Sequence, residues 1–419
     1  MNAAQPLTGS RVFYGWWLLA GLFVVYVITN GVILNTLPIF YPALVKEFGW
    51  NQQQVTSPAQ LLFLVVAILS PFAGALLDRY SARTLMLIGC GLILLAYGLY
   101  ATMHSLTQLL VTYLVFSVGI TLAGIIPSMH IITRWFVKSR GLAVGILLIG
   151  SSLGGAIFNQ VAGGAMQANG WRSAVWLLGG LSVALVILPM LFLVKDAPAQ
   201  LGLQADGGSV TTSTGGNPAS GRVPVTLGQA ARSLNFYILL FVTGAMWFCI
   251  VGVIQHQSLF FSDLKTDIPV KNILSLFFLS SVLGKLVFGR LSDRYPKKWI
   301  MLAAVLMLAV GTTILYASPR NPAQLLWVYA VAFGIGFSGT FTMIQLLVAE
   351  LYGGTSYGRI LGVVTMVDTL AGVLGILLIG KMRTATGSYA LPFLVLCGLA
   401  VVAAACIPFL NRPQSGANE

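Results

Sequence analysis

Charge is scarce in this sequence. Asp, Glu, Lys and Arg make up 8% of its 419 residues, where a soluble domain carries about 25%. Acidic residues are the rarer kind, 10 against 23 Lys and Arg. A water-facing surface cannot be assembled from so few charges, which excludes a soluble globular protein. Only four cysteines occur, Cys90, Cys249, Cys397 and Cys406. Each lies in an apolar run without metal-ligand spacing, so they read as reduced packing residues and not as a disulfide scaffold. No Gly-rich loop precedes a Lys-Ser/Thr pair, and no catalytic triad spacing is visible. An enzyme, a nucleotide-driven machine and a resident metal or cofactor are therefore not expected.

What the chain has instead is apolar sequence, 57% hydrophobic with a mean hydropathy of +0.89. Runs long enough to cross about 30 Å of hydrocarbon occupy 13–44, 55–77, 84–103, 107–133, 141–167 and 172–194. A second set occupies 234–262, 271–291, 299–317, 323–350, 360–380 and 389–410. The first run is too long for a signal-peptide core. These runs predict an all-α membrane protein of twelve transmembrane helices in two six-helix bundles, residues 1–195 and 233–419. A polar, Gly/Ser/Thr-rich linker at 196–232 joins them. The formal net charge of +13 comes from short basic clusters between apolar runs, a pattern of membrane topology and not of nucleic-acid binding. The clusters favour the side that holds both termini, which predicts cytoplasmic N- and C-termini in a multi-pass plasma (inner) membrane protein.

The chain repeats itself. Gly74-Ala75-Leu76-Leu77-Asp78-Arg79-Tyr80, after the second run, returns as Gly289-Arg290-Leu291-Ser292-Asp293-Arg294-Tyr295 after the eighth. Arg140-Gly141, opening the fifth run, is echoed by Arg359 and Gly362, opening the eleventh. Two similar halves imply a pseudo-two-fold axis along the membrane normal, with a site between them. Gly141/Gly145, Gly150/Gly154 and Gly358/Gly362 are small-xxx-small pairs that allow helix backbones to approach closely, in static packing or at a moving contact.

The repeated G-x-x-x-D-R-x element resembles the hallmark of the major facilitator superfamily. Within it, the chain is similar to the monocarboxylate transporters and the oxalate/formate antiporter branch. Four stretches carry that likeness: Tyr14-Gly15-Trp16; Arg134-Trp135-Phe136 through Arg140-Gly141; Gly170-Trp171-Arg172; and Leu361 to Asp368 with Gly372 and Gly375. The resemblance implies a gate on the cytoplasmic side. Asp78 and Asp293 would latch it by meeting helix N-termini and arginines, among Arg79, Arg134, Arg140, Arg294, Arg359 and Glu350.

Lys285 is the residue that draws attention. It lies eight positions before Asp293, roughly 12 Å into its helix, and a charge that deep survives where it faces protein, a wet cavity or a ligand. The resembled family places its anion-binding cation on this run, four residues before a glycine, which is Gly289 here. It prefers Arg; animal members add an acid at the position of Ser281 and a lysine in the first run, both absent here. Asp368 lies at similar depth on the eleventh run, where the branch carries an acid. With Lys285 it suggests a proton-coupling group, either protonated while the carboxylate pairs with Lys285 or opening from an ion pair with it. His256 is a further titratable group, near the outer end of the seventh run. By fold resemblance, Asn30, Asn35 and Gln345 are cavity-facing amides, and Phe337 and Phe341 could wall the cavity. The resulting expectation is a monomeric secondary transporter for a small monocarboxylate and a proton, embedded in the lipid bilayer. The alternatives are an organic-anion antiporter and, third, an exporter of amphiphilic compounds.

Overall fold

A computed structural model describes residues 13–136, 139–205, 227–264, 266–352 and 357–410. The side chains of Asp78, Arg140, Asp293 and Arg359, four of the expected gate residues, lie outside the described set, as does most of the linker. Among the described residues, eleven helical segments are long and apolar enough to cross a membrane. They are α1 (Tyr14–Phe48) and α4 (Leu106–Trp135), α2 (Gln52–Arg79), α3 (Ala82–Ala101), α5 (Arg140–Phe192) and α6 (Leu234–Asp263). The rest are α7 (Val270–Arg294), α8 (Lys297–Ala317), α9 (Pro322–Tyr352), α10 (Tyr357–Thr386) and α11 (Ala390–Cys406).

Local chemistry sets the boundaries. The Asn51 side chain and Gln54 form a reciprocal capping box at the start of α2, satisfying two otherwise orphaned N–H groups. Ser81 and Ser105 cap the helices that follow them. α5 has 53 residues, about 80 Å if straight, far more than a bilayer requires. It breaks at Gly170, where φ is 81° and ψ 168°, a conformation essentially confined to glycine. Just past the break, Trp171 and Arg172 both grip the Glu47 carboxylate at the end of α1, and the Arg172 guanidinium lies 4.3 Å from the Trp171 ring centre.

One of the resembled signatures is thereby explained as structure. Two more are as well: the Tyr14 hydroxyl donates to the Leu193 carbonyl at 3.0 Å, Trp16 packs on Phe136, and Trp135 Nε1 donates to Lys195 O at 3.0 Å. The Tyr-Gly-Trp and Arg-Trp-Phe stretches thus bind each other and the end of α5.

α1 to α5 pack mainly on one another, and so do α6 to α11; the two groups meet where α2 lies on α10 and α5 on α7. Under the sequence repeat, α2 corresponds to α7 and the start of α5 to the start of α10, so the two seams are equivalents. Close approach depends on glycine. Cβ atoms added at Gly154 and Gly31 would each come within 2.7 Å of the other residue's Cα, and Gly150 sits against Phe23 and Val27. These contacts lie within the first group, so this pair serves packing, while Gly145 and Gly362 face open space.

Candidate functional site

The faces of α7 decide where Lys285 points. Leu279, Leu283, Leu286 and Val287 are exposed, whereas Phe277, Phe278, Ser281, Lys285 and Phe288 are buried. That is helical spacing with one apolar side for lipid and one for protein, and Lys285 falls on the protein side, 9% exposed. Gly284 fixes the helix there, since a Cβ would strike Ser338 of α9. Phe278 lies against Gly155 of α5.

The ammonium crosses the seam. Lys285 Nζ donates to Leu148 O at 2.9 Å and to Ser152 Oγ at 2.8 Å, with Ser151 Oγ at 3.5 Å. All three partners are on α5. The Phe341 ring centre of α9 is 5.7 Å from the same nitrogen, inside cation–π range. Trp247 of α6 stands edge-on to Phe341 at 5.7 Å, and Phe337 lies 6.4 Å away along α9. Gln345, half-buried, follows Phe341 by one turn on the same face. Asn35 Nδ2 donates to Ser151 O at 2.9 Å, and Asn159 donates to Asn35 O at 3.3 Å. The site is therefore a cation surrounded by neutral acceptors and one aromatic face, where α1, α5, α7 and α9 converge.

Asp368 is buried on α10, 4% exposed, and its Oδ1 has no hydrogen-bond partner among the described residues. α10 is pressed onto α6 beside it: a Cβ on Gly244 would meet Val367 and Ala371, and Gly372 and Gly375 back onto Val251 and Phe248. The structure does not join Lys285 and Asp368 in an ion pair; the lysine's donors go to α5.

The other expected residues are dispersed. Asn30 lies in a π-helical turn, Val27–Val32, a device frequent at functional sites. There it donates to Thr29 Oγ1 at 3.0 Å and faces the break in α4 at Gly124. His256 is fully buried. Its Nε2 is 3.0 Å from Ile376 O and its Nδ1 3.2 Å from the Tyr389 hydroxyl. A carbonyl only accepts, so Nε2–H donates there, and both ring nitrogens are used in tying α6 to α10 and α11. Nearby in sequence, the Gln257 side chain accepts from the Tyr329 hydroxyl at 2.7 Å, and that ring stacks on Phe277. Arg79, Arg134 and Arg294 are exposed at one end of the molecule, where Glu350 pairs with Lys297 at 3.2 Å.

At the other end a polar zipper joins the two groups. Gln160 donates to Asn272 at 2.9 Å, Lys271 to Gln167 at 3.0 Å, and Tyr41 to Gln255 at 3.0 Å. Gln52 reaches Asp263, which also holds Arg383 at 2.8 Å. Sequence reasoning did not single out Ser151, Ser152 or Trp247. A Ser-Ser pair in an apolar run was visible, but serine hydroxyls in membrane helices usually bond their own backbone.

Comparison with known proteins gives the same frame. The sequence model of the Major Facilitator Superfamily matches residues 18–267 and 236–419. The chain is 26% identical over 400 residues to monocarboxylate transporter 13 of Rattus norvegicus, covering 94% of this chain and 88% of that one. It is 26% identical over 358 residues to the uncharacterized MFS-type transporter YhjX of Escherichia coli (strain K12), 83% of each chain. To the uncharacterized MFS-type transporter YcxA of Bacillus subtilis (strain 168) it is 22% identical over 408 residues, 96% of each.

Proposed function

This chain belongs to the major facilitator superfamily, and we propose that it carries a small monocarboxylate, lactate- or pyruvate-like, together with a proton by alternating access. The observation that carries this reading is Lys285: a buried cation mid-helix whose hydrogen-bond partners are all neutral and all on the opposing group of helices. An ammonium so placed lacks a counter-ion among the described residues, and an organic anion is the partner it fits. The name of the rat relative, a monocarboxylate transporter, supports the substrate class. We count the two arms of α5 as separate spans, giving twelve in bundles 1–195 and 233–419. Both termini are placed in the cytoplasm and the protein in the inner membrane, by the basic-residue bias. The whole site comes from one chain, which fits a working monomer. The expected gate residues form the cytoplasmic gate, and the Gln160–Asn272 end is then the outer gate, closed.

Net charge gives the coupling rule. Empty, Lys285 and an ionised Asp368 cancel; with carboxylate on Lys285 and a proton on Asp368 they cancel again. Either ligand alone leaves a net charge at mid-membrane depth, worth several kcal/mol. Only the empty and doubly loaded forms then reorient readily, and symport follows. The unpartnered Oδ1 of Asp368 is where the proton is held; His256, satisfied on both sides, is assigned a structural role. Phe341, Phe337 and Trp247 face the apolar end of the substrate, and Asn35 and Gln345 complete the polar wall. Anion exchange is the second reading, favoured by Ser281, which bonds Phe278 O one turn before Lys285 and offers no proton.

A thermal-shift screen of the purified protein with pyruvate, L-lactate, acetate and oxalate tests the site. Monocarboxylates are expected to raise the melting temperature of wild type and leave Lys285→Gln unmoved. Equal shifts in both would remove the anion site from Lys285.

A further inference from the structure

We propose that Ser152 is the second arm of the carboxylate clamp, so that one substrate oxygen accepts from Lys285 and the other from the Ser152 hydroxyl. This rests on the anion-site reading above and adds to it a ligand from the opposite group of helices.

The observation is a hydroxyl proton with nowhere to go. Buried hydroxyls in these helices normally donate to the carbonyl four residues back, as Ser117, Thr121, Ser128, Ser182 and Thr312 do at 2.6–2.8 Å. Ser152 does not. Its would-be acceptor, Leu148 O, already receives Lys285 Nζ at 2.9 Å and Ser151 Oγ at 3.2 Å. Ser152 Oγ accepts from Lys285 at 2.8 Å, and among the described residues no acceptor takes its own proton, although it is 1% exposed. A buried donor without an acceptor is costly, and a site that leaves one beside an ammonium is prepared for an acceptor with two oxygens. A carboxylate supplies them. It takes one Nζ–H in place of a neutral acceptor and the Ser152 O–H with its other oxygen, both charge-assisted bonds.

The consequence is mechanical as well as chemical. Lys285 belongs to α7 and Ser152 to α5, so the carboxylate is held by one residue from each group across the seam. A neutral carboxamide, with a single acceptor oxygen and no charge, cannot satisfy both donors to the same degree. Ser152 is therefore a specificity-determining residue for acid over amide.

Isothermal titration of the full-length detergent-solubilised protein with sodium pyruvate and with pyruvamide tests this. Ser152→Ala is expected to weaken pyruvate binding about ten-fold and to narrow the pyruvate-to-pyruvamide ratio by a similar factor. Ser152→Thr, which keeps the hydroxyl, is expected to restore both. Ser182→Ala, removing a buried hydroxyl that bonds its own helix, is the control for lost packing, and melting temperatures of the unliganded variants report folding. Wild-type affinity and an unchanged acid-to-amide ratio in Ser152→Ala, with Lys285→Gln impaired, overturn the clamp and leave the anion site standing. Wild-type affinity in Lys285→Gln, or no binding of pyruvate to wild type, overturns both.

Discussion

At the scale of the residue, the proposed chemistry rests on two buried ionisable groups with different surroundings. Lys285 is held by neutral oxygens of another helix, so its positive charge is what an anion gains. Lys285→Gln keeps a donor but loses the charge, and carboxylate affinity is expected to fall more than ten-fold in titration calorimetry. Lys285→Arg keeps the charge and is expected to keep binding. Asp368→Asn removes the proton acceptor and keeps the shape. Uptake driven by an inside-alkaline pH gradient is expected to stop, while exchange of labelled for unlabelled carboxylate at equal pH persists; loss of both activities would make Asp368 structural. Lys285 was legible in the sequence because a lone cation in an apolar run is conspicuous. Ser152 was not, because the sequence cannot tell which hydroxyl has lost its backbone acceptor to a side chain from elsewhere. The surroundings of His256 were hidden for a related reason. It stands near a helix end in the sequence, and only the fold brings Tyr389 and Ile376 over it.

At the scale of the element, glycines set both the breaks and the seams. Gly170 has open space around it but a positive φ of 81°, so Gly170→Ala tests backbone strain alone. It is expected to cost about 1–3 kcal/mol, read as a lower unfolding midpoint. Gly154→Leu would drive a side chain into the backbone of α1 and is expected to destabilise by roughly 1–3 kcal/mol through overpacking. Run length marked where the helices lie, but the fifth and sixth expected spans form one helix, α5, broken only at Gly170. The irregular course of α1, with a π turn at Val27–Val32 and a 3-10 turn at Leu37–Phe40, was not readable. It depends on tertiary neighbours such as Gly154 and Gly124, and an apolar run looks the same whether or not it is regular. The small-xxx-small pattern likewise marked the close approach at Gly150 and Gly154, but it also marked Gly145 and Gly362, where an added Cβ would meet nothing within 4 Å among the described residues.

At the scale of the whole molecule, the proposed alternating access requires the two groups of helices to part at the end where they are now zipped. Gln160 and Asn272 face each other across that seam at 2.9 Å. A Gln160→Cys, Asn272→Cys double variant is expected to lose transport on oxidation and to regain it on reduction, with each single variant unaffected. The central claim, that a monocarboxylate binds at Lys285 and moves with a proton, is tested most directly in proteoliposomes. Labelled pyruvate uptake is measured under an inside-alkaline pH gradient, in wild type and in Lys285→Gln. The account predicts accumulation above equilibrium in wild type, collapse when the gradient is dissipated, and none in the variant. Equal accumulation by the variant, or uptake by wild type that responds only to carboxylate on the trans side, would contradict it.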